Sequence, residues 1–404
     1  MYDVVVIGGG PAGLFTAICC GDVGRVVVLE KMGRCGRKLL MTGAGKCNLT
    51  QTGHIRDFLT CYGDGARFLR HALYSYDNEA LLGFFKERGL GFVTRENGKV
   101  FPKSMKAEDV LAVLERECDK LGVAIETETS VVAVAKQDDA FEVRTDKGNF
   151  VSKRVVVATG GMSYPHTGST GDGQVWAKEL GHKIVPMKPA LTPLKVKNYA
   201  LADLSGQSCE NLTFTHWRSG KKVGAYFGDV LFTHSGVSGP GILNPSRHMV
   251  SGDVLKLNFI GEDASVDREE LMQRFSNGGN TLVKSIVREL TISKRFADNM
   301  LVLADIAENE QCAHLRKEQR NALIRLLTEY EMEIKELGGY HVAMATAGGV
   351  STKEINPKTM ESRKMNGLYF VGEVTDVDGD TGGYNLQATI SMAHVCASAI
   401  KDYL

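Results

Sequence analysis

Three glycines and one acid carry the first chemistry in this 404-residue chain. In "YDVVVIGGGPAGLFTAICCGDVGRVVVLEK", Gly8, Gly10 and Gly13 form GxGxxG between a β-branched run (Asp3 to Ile7) and a helix from about Pro11. Gly8 permits the tight turn, Gly10 lets the backbone approach a pyrophosphate, and Gly13 lets the helix pack closely on the strand. The helix N-terminus supplies unpaired N–H groups and the positive end of its dipole to the phosphates. A second strand, Arg25 to Leu29, ends at Glu30, where a carboxylate accepts hydrogen bonds from a ribose diol and repels a 2′-phosphate. The predicted ligand is therefore FAD or NAD rather than NADP.

A second stretch, "GRKLLMTGAGKCNLT" (36 to 50), sets Arg37, Lys38 and Lys46 around Gly43 and Gly45. It is not a Walker A loop, because GxxxxGK[ST] fails at Leu40 and at Cys47. It contains no aromatic residue to interleave with its basic ones, as a single-strand nucleic-acid patch requires. A loop that brings backbone N–H groups and the Lys38 charge to the diphosphate from the other side is the better reading; a solvated basic loop is the plain alternative.

The elements that must position these residues follow from composition and period. At 43% hydrophobic and 24% charged, the chain is an ordinary globular protein, long enough for two or three packed units. Its 48 basic and 48 acidic residues cancel, removing any whole-chain field for nucleic acid or anionic lipid. The uncharged run 4 to 21 is neither signal nor membrane span, since Asp3 precedes it and Pro11 and glycines interrupt it. Nine cysteines without a CxxC pair suit reduced thiols in a cytoplasm and suggest no metal site.

Apolar residues from Asp57 to Arg88 recur at helical spacing, and "VFPKS" and Ala107 to Leu121 are read in the same way. "VAIETET", "VVAVAK", "FEVRT" and "NFVSKRVVVATGG" then read as a β-meander ending on a buried strand. Pro186, Pro189 and Pro193 mark a crossing into strand-like sequence up to about Ile260, followed by polar, helix-favouring sequence from Asp267 to Leu337. "MNGLYFVGEVTD" is a strand with Glu373 just beyond it, able to hold ribityl hydroxyls; Asp376 and Asp378 are weaker candidates. "GDTGGYNLQ" turns through Gly382 and Gly383 into a last helix from about Asn385, whose N-terminus can stabilise negative charge on a reduced flavin.

"GRKLLMTGAGKCNLT", "ATGGMSYPHTGSTGDG" (158 to 173), "FTHSGVSGPGIL" (232 to 243) and "GLYFVGEVTDVDGDTGGYNLQ" (367 to 387) occur in family order. With them the chain resembles the BaiN/YhiN-like flavoproteins, which include the aminoacetone oxidases, over nearly its whole length. The resemblance implies an α/β protein: a Rossmann-type FAD-binding domain in two segments (1 to 188 and 339 to 404), with an inserted β-rich region (189 to 262) and a helical region (263 to 338). It adds Pro11, Ala12, Lys31, Asn48, Thr159, Gly160, Gly372 and Tyr384 to the expected FAD contacts. Because the cofactor carries the hydride chemistry, protein groups need only orient substrate and exchange a proton. Tyr384, His234 and Tyr164 are the candidate catalytic residues, with His166 nearby in sequence.

The expected activity is reduction of a conjugated ketone, such as a 3-oxo-Δ4 or Δ4,6 bile-acid intermediate, by hydride transfer through flavin N5, with NADH or NADPH as a transient donor. Oxidation of a small amine such as aminoacetone, yielding hydrogen peroxide, is the alternative. A flavin-stabilised RNA-binding or scaffold protein is the third reading, opposed by charge neutrality and the lack of a basic aromatic face. The expected partner is a small molecule, with no nucleic acid and no membrane, in the cytoplasm.

Overall fold

The computed structural model describes every residue except Val23, Glu262, Asp263, Thr291, Ile292 and Leu404, and gives the backbone alone at 264 to 266. Its chain contacts divide it into two units, 1 to 190 with 340 to 404, and 191 to 339.

In the first unit, the β-branched strand Tyr2–Ile7 lies between Val26–Leu29 and Gly148–Val157, parallel to both. Val4, Val5, Val6, Val27 and Val28 are fully buried, as expected of strands covered on both faces. Gly148–Val157 is long enough to serve two partnerships. Its first half pairs antiparallel with Ala140–Thr145, which pairs with Val131–Gln137, while its last three residues pair parallel with Leu368–Phe370. Helices Pro11–Cys20 and Tyr384–Lys401 contribute to the same core.

Two segments of this unit depart from expectation. "VAIETET" does not join the meander: Ala124–Glu126 adds in parallel to Val26–Leu29, because the helix Ala107–Lys120 returns the chain by a crossover to that edge. "VFPKS" is not helical. Lys99–Pro102 is a strand between Thr50–Gln51 and Phe92–Thr94, which suits β-branched Val100 and a proline at the strand end.

The second unit contains a closed barrel in the order Leu194–Val196, Gly236–Ser238, Lys221–Phe232, Ser208–Arg218, Val254–Asn258 and Tyr330–Leu337, the last pairing back to the first. Tyr330–Leu337 falls within the stretch expected to be helical. In "YEMEIKEL" Tyr330, Met332 and Ile334 are buried and the glutamates between them exposed, a period of two that only a strand satisfies. Residues of helices Ala264–Asn277, Val283–Leu290, Lys294–Leu303 and Lys317–Thr328 share one hydrophobic core with the barrel. The boundary expected at 262 and 263 lies outside the described residues.

One charged group is sealed into this barrel. The Asp253 side chain, 2% exposed, accepts from Arg218 Nε and a terminal guanidinium nitrogen, both at 2.8 Å, and from the Val250 N–H at 2.9 Å, and lies 2.7 Å from His216 Nε2. Burial pushes its carboxyl upward, but the hydrogen bonds from Arg218, Val250 and His216 outweigh that and hold it at about 2. A folded pKa below the unfolded one stabilises above the unfolded value, by about 2 kcal/mol at neutral pH, and that contribution fades as pH falls from about 5 toward 2. In an acid titration followed by circular dichroism, Asp253→Asn is expected to be less stable than the parent at pH 7 and to show a shallower acid limb.

Candidate active site: a dinucleotide cradle in the first unit

The first strand ends at Gly8 (φ +110°), a left-handed backbone that favours glycine. A Cβ there would lie 2.5 Å from the Ala158 carbonyl oxygen, and one on Gly13 would lie 1.9 Å from the Gly8 carbonyl oxygen. Strand, turn and helix therefore close on each other only with glycine at both positions. Gly10, the N-cap of the first helix, has nothing within 4 Å of its missing side chain, so its backbone faces open space.

That space is a cavity of about 440 Å³. Of the expected cofactor contacts, Gly8, Gly10, Pro11, Ala12, Glu30, Lys31, Lys38, Thr159, Gly160, Gly372, Glu373 and Asn385 line it. Glu30 is fixed in place: the Gly9 and Met32 N–H groups donate to its two oxygens, each at 2.8 Å. Burial raises its carboxyl above the usual range, and these two N–H bonds oppose the shift. Lys31 is tied to Asp172 at 2.6 Å and to Thr170 at 2.5 Å.

Lys38 and Glu373 meet on the cavity wall. Lys38 Nζ donates to Glu373 Oε2 at 2.5 Å and to Ser163 Oγ at 2.6 Å. Ser163 Oγ donates to Glu373 Oε1 at 3.0 Å, and that oxygen also accepts from the Thr346 N–H at 2.8 Å. Thr346 Oγ1 in turn accepts from the Met162 and Ser163 N–H groups. Ser163 and Thr346 are fully buried, so the pair is held from behind by groups with no other outlet. The reading of Lys38 as a charge for the diphosphate did not anticipate a carboxylate partner 335 positions away.

The remaining expected contacts do not line the cavity. Gly13 lies beneath the turn, and Gly43 and Gly45 are exposed in a left-handed turn with Ala44 (φ +57°, +55° and +81° in chain order). Asn48 follows it, with a buried Oδ1 that has no hydrogen-bond partner among the described residues. Gly382 and Gly383 (φ +127° and +95°) lead into the last helix, where a Cβ on Gly383 would lie 2.7 Å from the Thr50 backbone. Tyr384 begins that helix, its ring edge-on to Phe58 at 5.1 Å and to Tyr62 at 6.1 Å.

Tyr164 has a left-handed backbone (φ 53°, ψ 60°), held by its N–H to the Tyr340 carbonyl, and its ring is 6.0 Å from His166. His234 is exposed and belongs to the second unit. Thr129, Ser130, Ser169 and Thr389 on the cavity wall, and Ser163 and Thr346 behind it, are not among the residues expected from the sequence. Ser163 lies inside the quoted "ATGGMSYPHTGSTGDG", but a serine in a glycine-rich loop carries no signal of its own.

These residues fit FAD. Gly10 leaves backbone open at a helix N-terminus, Thr159 contributes a buried Oγ1 without a partner among the described residues, and two carboxylates, Glu30 and Glu373, line the same cavity. Such a cradle on a parallel sheet defines the Rossmann-type FAD-binding class. Within it, the chain belongs to the HI0933-like family: the model described as HI0933-like protein Rossmann domain matches residues 2–399, in accord with the BaiN/YhiN-like resemblance. The chain is 32% identical over 424 residues to the 3-dehydro-bile acid delta(4,6)-reductase of Clostridium scindens, covering 100% of both. It is 32% identical to the ribosomal RNA dihydrouridine synthase of Haemophilus influenzae, covering 98% of both, and 30% identical to that of Escherichia coli K12, covering 98% of this chain and 97% of the relative. The protein is thus a flavin oxidoreductase by family. Among the described residues, no helix is long and apolar enough to cross a membrane.

Proposed function

We propose that this protein reduces a carbon–carbon double bond conjugated with a carbonyl group, and that its leading substrate is a uracil of ribosomal RNA. The observation that carries the reading is the bond shared by the relatives' names. A 3-oxo-Δ4,6 steroid and a uracil ring each present an alkene conjugated with a carbonyl, so either takes a hydride at an electrophilic carbon, β in uracil and β or δ in the dienone, and a proton at the alkene's other carbon. Two of the three full-length relatives described above carry the ribosomal RNA name. Whole-chain neutrality and the lack of a basic aromatic face in the sequence, the two grounds for expecting no nucleic-acid partner, leave open local patches that form only when strands pair. The bile-acid relative, aligned over the full length of both chains, supports a steroid enone as the second reading.

FAD, when bound, supplies the two-electron hydride chemistry. Glu30 would hold the ribose and Glu373 the ribityl chain, with the Lys38 ammonium beside Glu373 on the lining of the same cavity. Tyr384 is the proton donor for the α carbon. It adjoins the cavity-lining Asn385 and Leu386, and burial, followed by its hydrogen bond with Cys61, raises its phenol above the usual range. The phenol therefore stays protonated at neutral pH. NADH or NADPH serves as transient donor, there being one dinucleotide fingerprint in the chain.

The test is anaerobic. The yellow protein is mixed with NADH, NADPH or aminoacetone, and the bleached flavin is then offered ribosomal RNA lacking dihydrouridine or a 3-oxo-Δ4,6 bile acid. Bleaching by a nicotinamide, followed by reoxidation and dihydrouridine in the digested RNA, is expected. Bleaching by aminoacetone alone, with no reoxidation by either enone, would instead establish an amine oxidase.

A further inference from the structure

We propose that the outer face of the barrel hairpin in the second unit is a docking surface for single-stranded RNA. The inference rests on the ribosomal RNA reading above and adds to it a binding surface in the second unit. Ser208–Arg218 and Lys221–Phe232 form a long antiparallel hairpin, closed by a two-residue turn in which Ser219 and Gly220 both have positive φ (49° and 76°). Such turns match the strand twist and keep the hairpin in register.

The register sorts the side chains. Phe214 and His216 are buried inside the barrel, so Trp217 and its partner Lys222, and Phe227 opposite Thr213, belong to the outer face. Between His216 and Trp217 the register shifts, and Val223 is the extra residue. The result leaves two apolar side chains exposed on one strand, Phe227 at 59% and Val223 at 52%. Lys256, on the strand Val254–Asn258 that borders the other side of Ser208–Arg218, sits with its ammonium 5.0 Å from the centre of the Trp217 ring, and Lys221 and Lys222 are exposed at the turn.

Aromatic platforms flanked by cations match single-stranded nucleic acid, whose bases stack on rings while its phosphates seek positive charge. The charge balance supports that occupant at the turn end of the face. Asp253 is buried and already neutralises Arg218, and Glu331 is spent on Lys256 and Arg325. No ion pair involves Lys221 or Lys222 among the described residues. Glu210 and Asp229 lie toward the opposite end, near Phe227, so the RNA backbone is expected to run past the lysines with bases turned toward Trp217 and Phe227. The five-residue strand separation of Lys222 and Phe227 spans roughly 17 Å, enough for two or three nucleotides. The sequence interleaves these types in "HWRSGKKVGAYF", but alternation in sequence becomes a face only once the strands pair.

The experiment uses the full-length FAD-loaded protein and two probes, a single-stranded oligouridine and ribosomal RNA lacking dihydrouridine. Lys221→Glu with Lys222→Glu should weaken oligouridine binding and make the slope of log affinity against log salt shallower by about 1.4, the value for two phosphate contacts on a single strand. Phe227→Ala should weaken binding by about ten- to a hundredfold, while Phe227→Trp retains it. All variants should keep parental thermal unfolding and flavin bleaching by the nicotinamide donor, and the first two should lose dihydrouridine formation at low RNA concentration. If the parent forms dihydrouridine and the variants bind and modify RNA equally well, the docking surface is wrong and the substrate reading survives. If the parent neither binds nor modifies RNA, both are wrong. If Phe227→Ala abolishes self-association in sedimentation while RNA binding persists, the face is a dimer interface and the proposal is overturned.

Discussion

Gly13→Ala is expected to yield a protein that purifies without its yellow colour. The added methyl would lie 1.9 Å from the Gly8 carbonyl oxygen and 3.1 Å from Val6 Cγ1, so the helix must move away from the strand that the glycine turn joins to it. Backbone cannot yield as a flexible side chain does, and overpacking of this kind costs about 1–3 kcal/mol or more. Here the cost falls on the spacing between the helix N-terminus and the turn, which is what a diphosphate reads. FAD affinity is therefore expected to fall by about a hundredfold, read from flavin absorbance after gel filtration and from fluorescence titration of the apoprotein. Gly10→Ala is the control, because nothing lies within 4 Å of the added atom. It should keep the fold intact and weaken FAD only through approach to the phosphates. Equal FAD retention in Gly13→Ala and the parent would show that the glycine turn does not set the cofactor's position.

Tyr384→Phe is expected to separate the two halves of the reaction. Removing a positioned proton donor costs about 10²–10⁴ in rate, and that loss should appear in reoxidation by the enone substrate. Reduction of the flavin by the nicotinamide donor involves no proton from the phenol and should change little. The ring contacts with Phe58 and Tyr62 survive the substitution, as does the Tyr62 hydroxyl's donation to the Tyr384 carbonyl, so thermal unfolding should be close to parental. The single-turnover rate of each half, by anaerobic stopped flow, is the measurement. Loss in the reductive half alone would assign Tyr384 to donor docking, and no loss in either would move the proton donor to Tyr164.

Local features were legible in the sequence. The strand, glycine turn and helix at the N-terminus are set by steric limits within about thirty consecutive residues, and a one-letter string records those limits directly. The alternation in "YEMEIKEL" was equally present but lay at the end of a helix-favouring stretch, where composition masked a period of two. "VFPKS" is too short for period to decide; its neighbour strands, which come from residues 50 to 51 and 92 to 94, settled it.

By itself, then, the sequence determined that a dinucleotide cradle exists, that Glu30 and Glu373 stand at strand ends, and that the chain has family elements in order. Only the tertiary structure decided which of these share a surface. Lys38 and Glu373 are 335 positions apart, Ser163 and Glu373 are 210 apart, and Thr346 reaches back 184 positions to Met162. Hydrogen bonds and ion pairs act over a few ångströms, and no local steric rule connects residues so distant along the chain; only the fold does, by bringing helix Arg37–Met41, strand Ala345–Val350 and the loops after Gly148–Val157 and Leu368–Phe370 to one place. The same holds in the barrel, where the last strand closes on the first and the hairpin register gathers scattered aromatic and basic residues onto one face.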